Sequence, residues 1–260
     1  MSKSLLVAIA VIGLGLAACG TIRETPAIET VPTAIEPGDS RSLVLVELFT
    51  SEGCSSCPPA DRLLSLIAAT DDRAVALAFH VDYWDSPAWR DRFSSHLFSQ
   101  RQEFYGGRFK LDSIYTPQIV VDGSTQFVGN DSARAGNEIT EAAKVTKGAL
   151  ELRFDAGRLA IKADGFPSSE TATLYLAVAE NSLMTNVTGG ENGGTSLRHS
   201  AVVRSLTTVR AVEKGTRSLD LSTDIPSDPS WNVQNLNYVI FVQENGSRRI
   251  IAVAQIAGKH

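Results

Sequence analysis

The stretch Leu43-Val44-Leu45-Val46-Glu47-Leu48-Phe49, followed after Thr50-Ser51-Glu52-Gly53 by Cys54-Ser55-Ser56-Cys57-Pro58-Pro59-Ala60-Asp61-Arg62-Leu63-Leu64, decides the fold. Its first part is an apolar run of strand length. Its last part opens with two prolines, which suit the first helical positions, and continues with helical spacing. A strand therefore runs into a tight loop, and the loop opens a helix. A two-residue spacer at a helix start lets both sulfurs meet in a small disulfide ring. The first thiol then lies near the free N–H groups of the helix, where the macrodipole favours a thiolate. Thiol–disulfide exchange needs this geometry.

Outward from this stretch, strands and helices alternate up to residue 147. Ala74–Val81 reads as a second apolar strand and Pro87–Tyr105 as an amphipathic helix. Ile119–Val121 and Gln126–Val128 flank the hairpin signal Asp122-Gly123-Ser124. Asp131–Lys147 reads as a closing helix with Asn130 or Asp131 near its N-cap. This order predicts an α/β layer over residues 42–148. After Gly148 the pattern becomes short strands separated by turns such as Asp155-Ala156-Gly157, Lys214-Gly215 and Asn245-Gly246, which predicts an all-β sandwich over 149–260.

The chain begins with a lysine at position 3, an apolar stretch from Leu5 to Leu16 and the small residues Ala17-Ala18 before Cys19. That is the pattern of an export signal over residues 1–18, too short to span a bilayer, which takes about 20 residues. Leu16-Ala17-Ala18-Cys19 resembles the lipobox of bacterial lipoproteins; the resemblance implies cleavage before Cys19 and a lipid on its sulfur. The alternative is an ordinary secreted protein with a chance cysteine. Gly20 after the cysteine then implies an outer-membrane anchor facing the periplasm. Residues 19–41, with Pro26, Pro32 and Pro37, read as a tether. With Cys19 lipidated, Cys54 and Cys57 are the remaining thiols, and an oxidising compartment predicts a disulfide between them. The net charge of −5 points away from nucleic acid as a partner.

Strand, CxxC, helix and a later Thr116-Pro117 before a strand together resemble a thioredoxin-like fold. The resemblance implies a cis-proline at Pro117 beside the disulfide, shaping the cleft; Thr116 before it, and Tyr83 and Trp84 after the second strand, are the candidate substrate-binding residues. More narrowly, the chain resembles the bacterial exported family known as domain-of-unknown-function family 1223. The carrying segments are Val46 to Asp61, His80-Val81-Asp82-Tyr83-Trp84-Asp85, Phe93 to Tyr105, Tyr115-Thr116-Pro117-Gln118 and Gly190 to Arg204. The family implies a fold and a site, and no substrate.

Exchange proceeds by thiolate attack on a disulfide sulfur through a mixed disulfide. Cys54, N-terminal and expected to be the more exposed, is the candidate nucleophile; Cys57 resolves the intermediate. Glu47, within the strand leading to the cysteines, is the candidate proton acceptor for Cys57, the alternative being a packing role. Glu52 opposes a Cys54 thiolate, so its pKa is expected only moderately below about 8.5. Partners would be envelope thiols or disulfides and an unidentified redox protein; no cofactor is implied. Cys54, Cys57 and His80 form the alternative constellation, a soft-metal site of the kind that suits Cu(I), although thioredoxin-like copper chaperones usually carry a three-residue spacer. A third reading is a binding module with a structural disulfide. Tyr83, Trp84, Trp89, Phe93 and Tyr105 either floor a peptide groove or fill the core, and His199 has no partner visible in sequence. Gly189–Gly194 is no phosphate loop, because no Lys-Ser/Thr follows it.

Overall fold

The central strand β1 (Val44–Thr50) is buried along its whole length, as its apolar run demands of a strand covered on both faces. The computed structural model describes residues 43–258; the export signal, Cys19 and the tether lie outside the described residues. After β1 come α1 (Pro58–Thr70), β2 (Ala74–His80), α2 (His96–Phe109), β3 (Gln118–Val121), β4 (Thr125–Val128) and α3 (Ser132–Ala142). Then follow β5 (Ala149–Asp155), β6 (Arg158–Asp164), β7 (Ala172–Glu180), β8 (Leu183–Asn186), β9 (Ser196–His199), β10 (Val202–Val212), β11 (Ser218–Asp224), β12 (Leu236–Glu244) and β13 (Ile250–Ala257).

One eight-stranded sheet runs in the order β13-β12-β7-β10-β2-β1-β3-β4. β1 pairs in parallel with β2 and antiparallel with β3, and β3 turns back into β4. Strand alternation divides β1 between two cores. Val44, Val46 and Leu48 face a cluster completed by Ala60, Leu64 and Ile67 of α1 and Ala135 and Ile139 of α3. Leu45 and Phe49 face the other side, with Phe98 and Tyr105 of α2 and Phe241 of β12.

The boundary expected near residue 148 falls inside one compact unit. β10 joins the sheet beside β2, where Val202 pairs with Ala78 and the Ala78 N–H donates to the Ala201 carbonyl at 2.8 Å. The later strands thus divide. β7, β10, β12 and β13 extend the first sheet, while β11-β6-β5 form a three-stranded sheet. The two share an apolar cluster through Leu159, Ile161, Leu174, Leu176, Ile240 and Val242.

Two helices differ from the sequence reading. α2 begins at His96, not near Pro87, with Ser95 as its N-cap. Residues 81–95 are held out of helix by their own short polar side chains: Asp85 Oδ1 accepts the Asp91 N–H, and Asp91 Oδ1 accepts the Phe93 N–H. α3 is capped by Asp131, whose Oδ1 accepts the Arg134 N–H at 3.0 Å, and ends at Ala142, short of Lys147. Lys147 instead turns inward to pair with Asp122 at 2.7 Å.

Candidate active site

Cys57 is the N-cap of α1, followed by Pro58 and Pro59, and its carbonyl accepts the Ala60 and Asp61 N–H groups. The Cys54 N–H bonds the Ser51 carbonyl and the Cys57 N–H bonds the Cys54 carbonyl, each at 3.2 Å. This tight loop brings the two Cα atoms to 5.4 Å, and the sulfurs are joined in a disulfide. Ser56 Oγ lies 3.4 Å from Cys54 Sγ.

Both cysteines are 0% exposed, which corrects the expectation that Cys54 is the more accessible of the two. A strap from the second half of the chain, residues 187–195, between β8 and β9, is tied to the backbone of the cysteine loop. Asn192 Nδ2 donates to the Glu52 carbonyl at 2.9 Å and to the Cys54 carbonyl at 3.0 Å. Glu191 accepts the Ser55 N–H at 3.0 Å, and Ser55 holds its carboxyl below the usual range. Gly189 presses so closely on the Ala88 carbonyl that a side chain there has no room, and Gly190, against Trp89, holds a positive φ of 69°.

The Thr116–Pro117 peptide is cis, and Pro117 is buried beside the first turn of α1. Gly129, whose N–H bonds the Pro117 carbonyl, sits among Pro117, Leu48 and Ala60. Trp84 joins this segment to the cysteine loop: its Nε1 donates to Thr116 Oγ1 at 2.7 Å while its backbone and Cβ lie against Gly53. Tyr83 is partly exposed, donates to Gln102 at 3.0 Å, and has its phenol pushed up to about 12 by burial. Of the other aromatic candidates, Phe93 and Tyr105 are core residues and Trp89 is half-buried over Glu52.

The loop before Cys54 is tied into a buried polar cluster. His80 Nδ1 lies 2.6 Å from Asp91 Oδ2, which also accepts the Glu52 N–H at 2.9 Å. Glu52 Oε1 lies 3.2 Å from His199 Nε2, and Glu52 Oε2 accepts the Trp89 Nε1–H. The two imidazoles stand 5.1 Å apart, edge to face. Asp61, one helical turn after Cys57, is faced by His80, His199 and Thr50. Burial raises the Asp61 carboxyl, although the two histidines act the other way. Burial works against a charged His80, yet Asp91, Asp61 and Glu52 outweigh it and the imidazole is raised. Burial likewise opposes Asp91 ionisation, but His80 holds that carboxyl below its ordinary range.

Residues 45–243 match the family model described as protein of unknown function (DUF1223). The chain belongs to the DUF1223 family. No curated protein matches it. Among solved structures, it is similar to protein AGR_C_4864 of Agrobacterium tumefaciens, at 23% identity and a TM-score of 0.69, over 84% of this chain and 96% of that one. It is also similar to HBP35 of Porphyromonas gingivalis, at 14% identity and a TM-score of 0.56, over 84% and 75% of the two chains. At these identities the likeness shows the fold alone.

In this DUF1223 protein Glu47 is not brought to the cysteines. Strand parity sends it to the face opposite α1, where Arg101 Nε donates to it at 2.6 Å and the Tyr105 hydroxyl donates to its other oxygen. The His80 set does not converge as metal ligands either. The two sulfurs are bonded to each other, His80 Nδ1 is engaged by Asp91, and among the described residues no group of three or more His, Cys, Asp or Glu is placed to hold a metal ion.

The sequence reading missed Asp61, Asp91 and Asn192. Asp61 carried a usable signal, its i+4 spacing from Cys57 on a helix, which puts both on one face. Asp91 and Asn192 lie in irregular segments, and no local pattern marks them.

Proposed function

We propose that this DUF1223 protein carries out thiol–disulfide exchange through Cys54 and Cys57 on a thioredoxin-like framework. The observation that carries the reading is the Cys54–Cys57 disulfide at the N-terminus of α1, with Thr116-Pro117 tied beside it through Trp84. The β2-β1-β3-β4 order, with β1 parallel to β2 and antiparallel to β3, supports the framework. Cys54 takes the incoming thiolate and Cys57 leaves, then resolves the mixed disulfide in the reverse direction. The lipobox-like Cys19 supports an envelope location, with envelope thiols or disulfides as partners.

A second reading, a structural disulfide in a binding module, is favoured by the complete burial of both sulfurs. The reduction potential separates the two. The oxidised protein is equilibrated in thiol buffers, alkylated and weighed. A reversible potential between about −120 and −270 mV supports exchange, and a value well below about −300 mV replaces it with the structural reading.

A further inference from the structure

Three buried polar atoms at this site have no hydrogen-bond partner: His80 Nε2, His199 Nδ1 and Thr50 Oγ1. All three residues act on the Asp61 carboxyl, each favouring its charged form, with Thr50 near enough to interact through its hydroxyl without closing a full hydrogen bond. Orphaned polar atoms are costly in an interior, so their gathering around one carboxyl calls for a reason. Asp61 follows Cys57 by four residues, and its N–H bonds the Cys57 carbonyl at 3.1 Å. The two side chains therefore stack on one helix face, both buried.

We propose that Asp61, set between His80 and His199, is the proton store that serves Cys57 when the disulfide opens and closes. The inference rests on the exchange reading for its biological use, but its chemistry is testable with any thiol.

In the opening step, the thiolate of an external thiol attacks Cys54 Sγ. The Cys54–Cys57 bond breaks, and its electron pair stays on Cys57 Sγ. The protonated Asp61 carboxyl gives its proton to that sulfur. The products are a mixed disulfide on Cys54, a neutral Cys57 thiol and an Asp61 carboxylate; one negative charge enters on the thiol and remains on Asp61. In closing, the Asp61 carboxylate takes the Cys57 proton, Cys57 attacks Cys54 Sγ, and the external thiolate departs.

The surroundings suit both charge states of Asp61. Burial raises the Asp61 carboxyl above its ordinary range and so favours the protonated acid before attack. After transfer, the carboxylate is favoured by the Thr50 hydroxyl of β1, which can donate to it, and by the positive charge that His80 of β2 and His199 of β9 carry when protonated. Asp91 from the 81–95 loop opposes the new charge but is itself committed to His80, and Glu52 is committed to His199 and Trp89. Without the store, Cys57 would leave as a buried thiolate, with His80 already committed to Asp91.

The test is the rate at which dithiothreitol reduces the disulfide between pH 4 and 9, divided by the concentration of its thiolate. In the wild type this corrected rate falls as pH rises through the titration of Asp61. Asp61→Asn is expected to lose that inflection and to run roughly 10²-fold slower on the acid side, the size of a lost general acid. His199→Gln provides a second measurement if Asp61→Asn does not fold: removing a group that favours the carboxylate moves the inflection to higher pH. An Asp61→Asn protein that keeps the wild-type inflection, or a His199→Gln protein whose inflection does not move, overturns the proposal. A potential in the range of structural disulfides overturns the exchange reading instead, and leaves this measurement readable.

Discussion

Asp91 Oδ2 lies 2.6 Å from His80 Nδ1 and accepts the Glu52 N–H with the same oxygen, so one buried carboxylate ties the end of β2 to the loop before Cys54. The site is therefore braced by a charge pair inside the protein, where breaking one partner is costly.

This pair gives stability a definite pH dependence. His80 is raised from 6.5, so its contribution is complete below that pH and is lost as pH rises through the folded-state value. Asp91 is lowered from 3.8, so its contribution is complete above that pH and is lost as pH falls through the folded-state value. Asp61, raised from 3.8, acts in the same sense as His80. The thermal midpoint is expected to decline on the alkaline side of 6.5. Asp91→Asn is expected to cost about 3–5 kcal/mol and to flatten that decline. Melting curves of the two proteins from pH 4 to 9 check this; parallel profiles would show that the pair does not carry the dependence.

A second buried pair lies on the other face of β1. Glu47 is bound by Arg101 and Tyr105, and Gln243 bonds both Arg101 and the Tyr105 hydroxyl. The Arg101 guanidinium also lies over the rings of Phe79, Tyr105, Tyr175 and Phe241. Arg101→Met strands the Glu47 charge and is expected to cost about 3–5 kcal/mol in urea unfolding, whereas Glu47→Leu with Arg101→Met loses less. Glu47→Gln is expected to leave the reduction potential unchanged, because the network faces away from α1. A shift in that potential would restore Glu47 as a partner of Cys57.

Gly129 sets how closely the Pro117 segment approaches α1. A Cβ there would sit 3.0 Å from Leu48 Cδ1 and from Pro117 Cβ, and 3.1 Å from Ala60 Cβ. Two of these belong to β1 and α1, which cannot retreat cheaply from a packed core. Gly129→Ala is expected to cost about 1–3 kcal/mol, measured by denaturant unfolding. A variant as stable as the wild type would mean that the Pro117 segment yields.

The local parts of this architecture were legible in the sequence. The apolar run before Cys54, the prolines after Cys57 and the Asp122-Gly123 turn act over a few residues, and the elements they predict fall within a few residues of those observed. What lay beyond reach is long-range. β8 and β9 are four residues each, with polar residues among them, and give little alternation to read. Yet they carry His199 and the strap to a loop some 140 residues earlier in the chain. Likewise Glu47 reads as a site residue by its nearness to Cys54 in sequence, while its strand parity sends it to the other face. Asp91 sits where Trp89 and Phe93 suggest a helix, and only the bonds it makes reveal why none forms there.

The strap makes access to the disulfide an opening equilibrium. Asn192 is its buried anchor, donating to the carbonyls of Glu52 and Cys54, whereas Glu191 is exposed and accepts from Ser55. If the strap covers the sulfurs, reduction by a small thiol waits for it to lift, and the rate follows the free energy of local opening. Asn192→Ala removes two hydrogen bonds, each worth about 0.5–1.5 kcal/mol net, and is expected to speed reduction by dithiothreitol roughly 10- to 100-fold. Glu191→Ala is expected to change the rate only about twofold, since exposed contacts of this kind contribute little. Both rates are read by quenching with acid and alkylating the free thiols. If folded Asn192→Ala is reduced no faster than the wild type, the strap is not what covers the sulfurs, and the barrier lies in the packing of Trp84 against Gly53 instead.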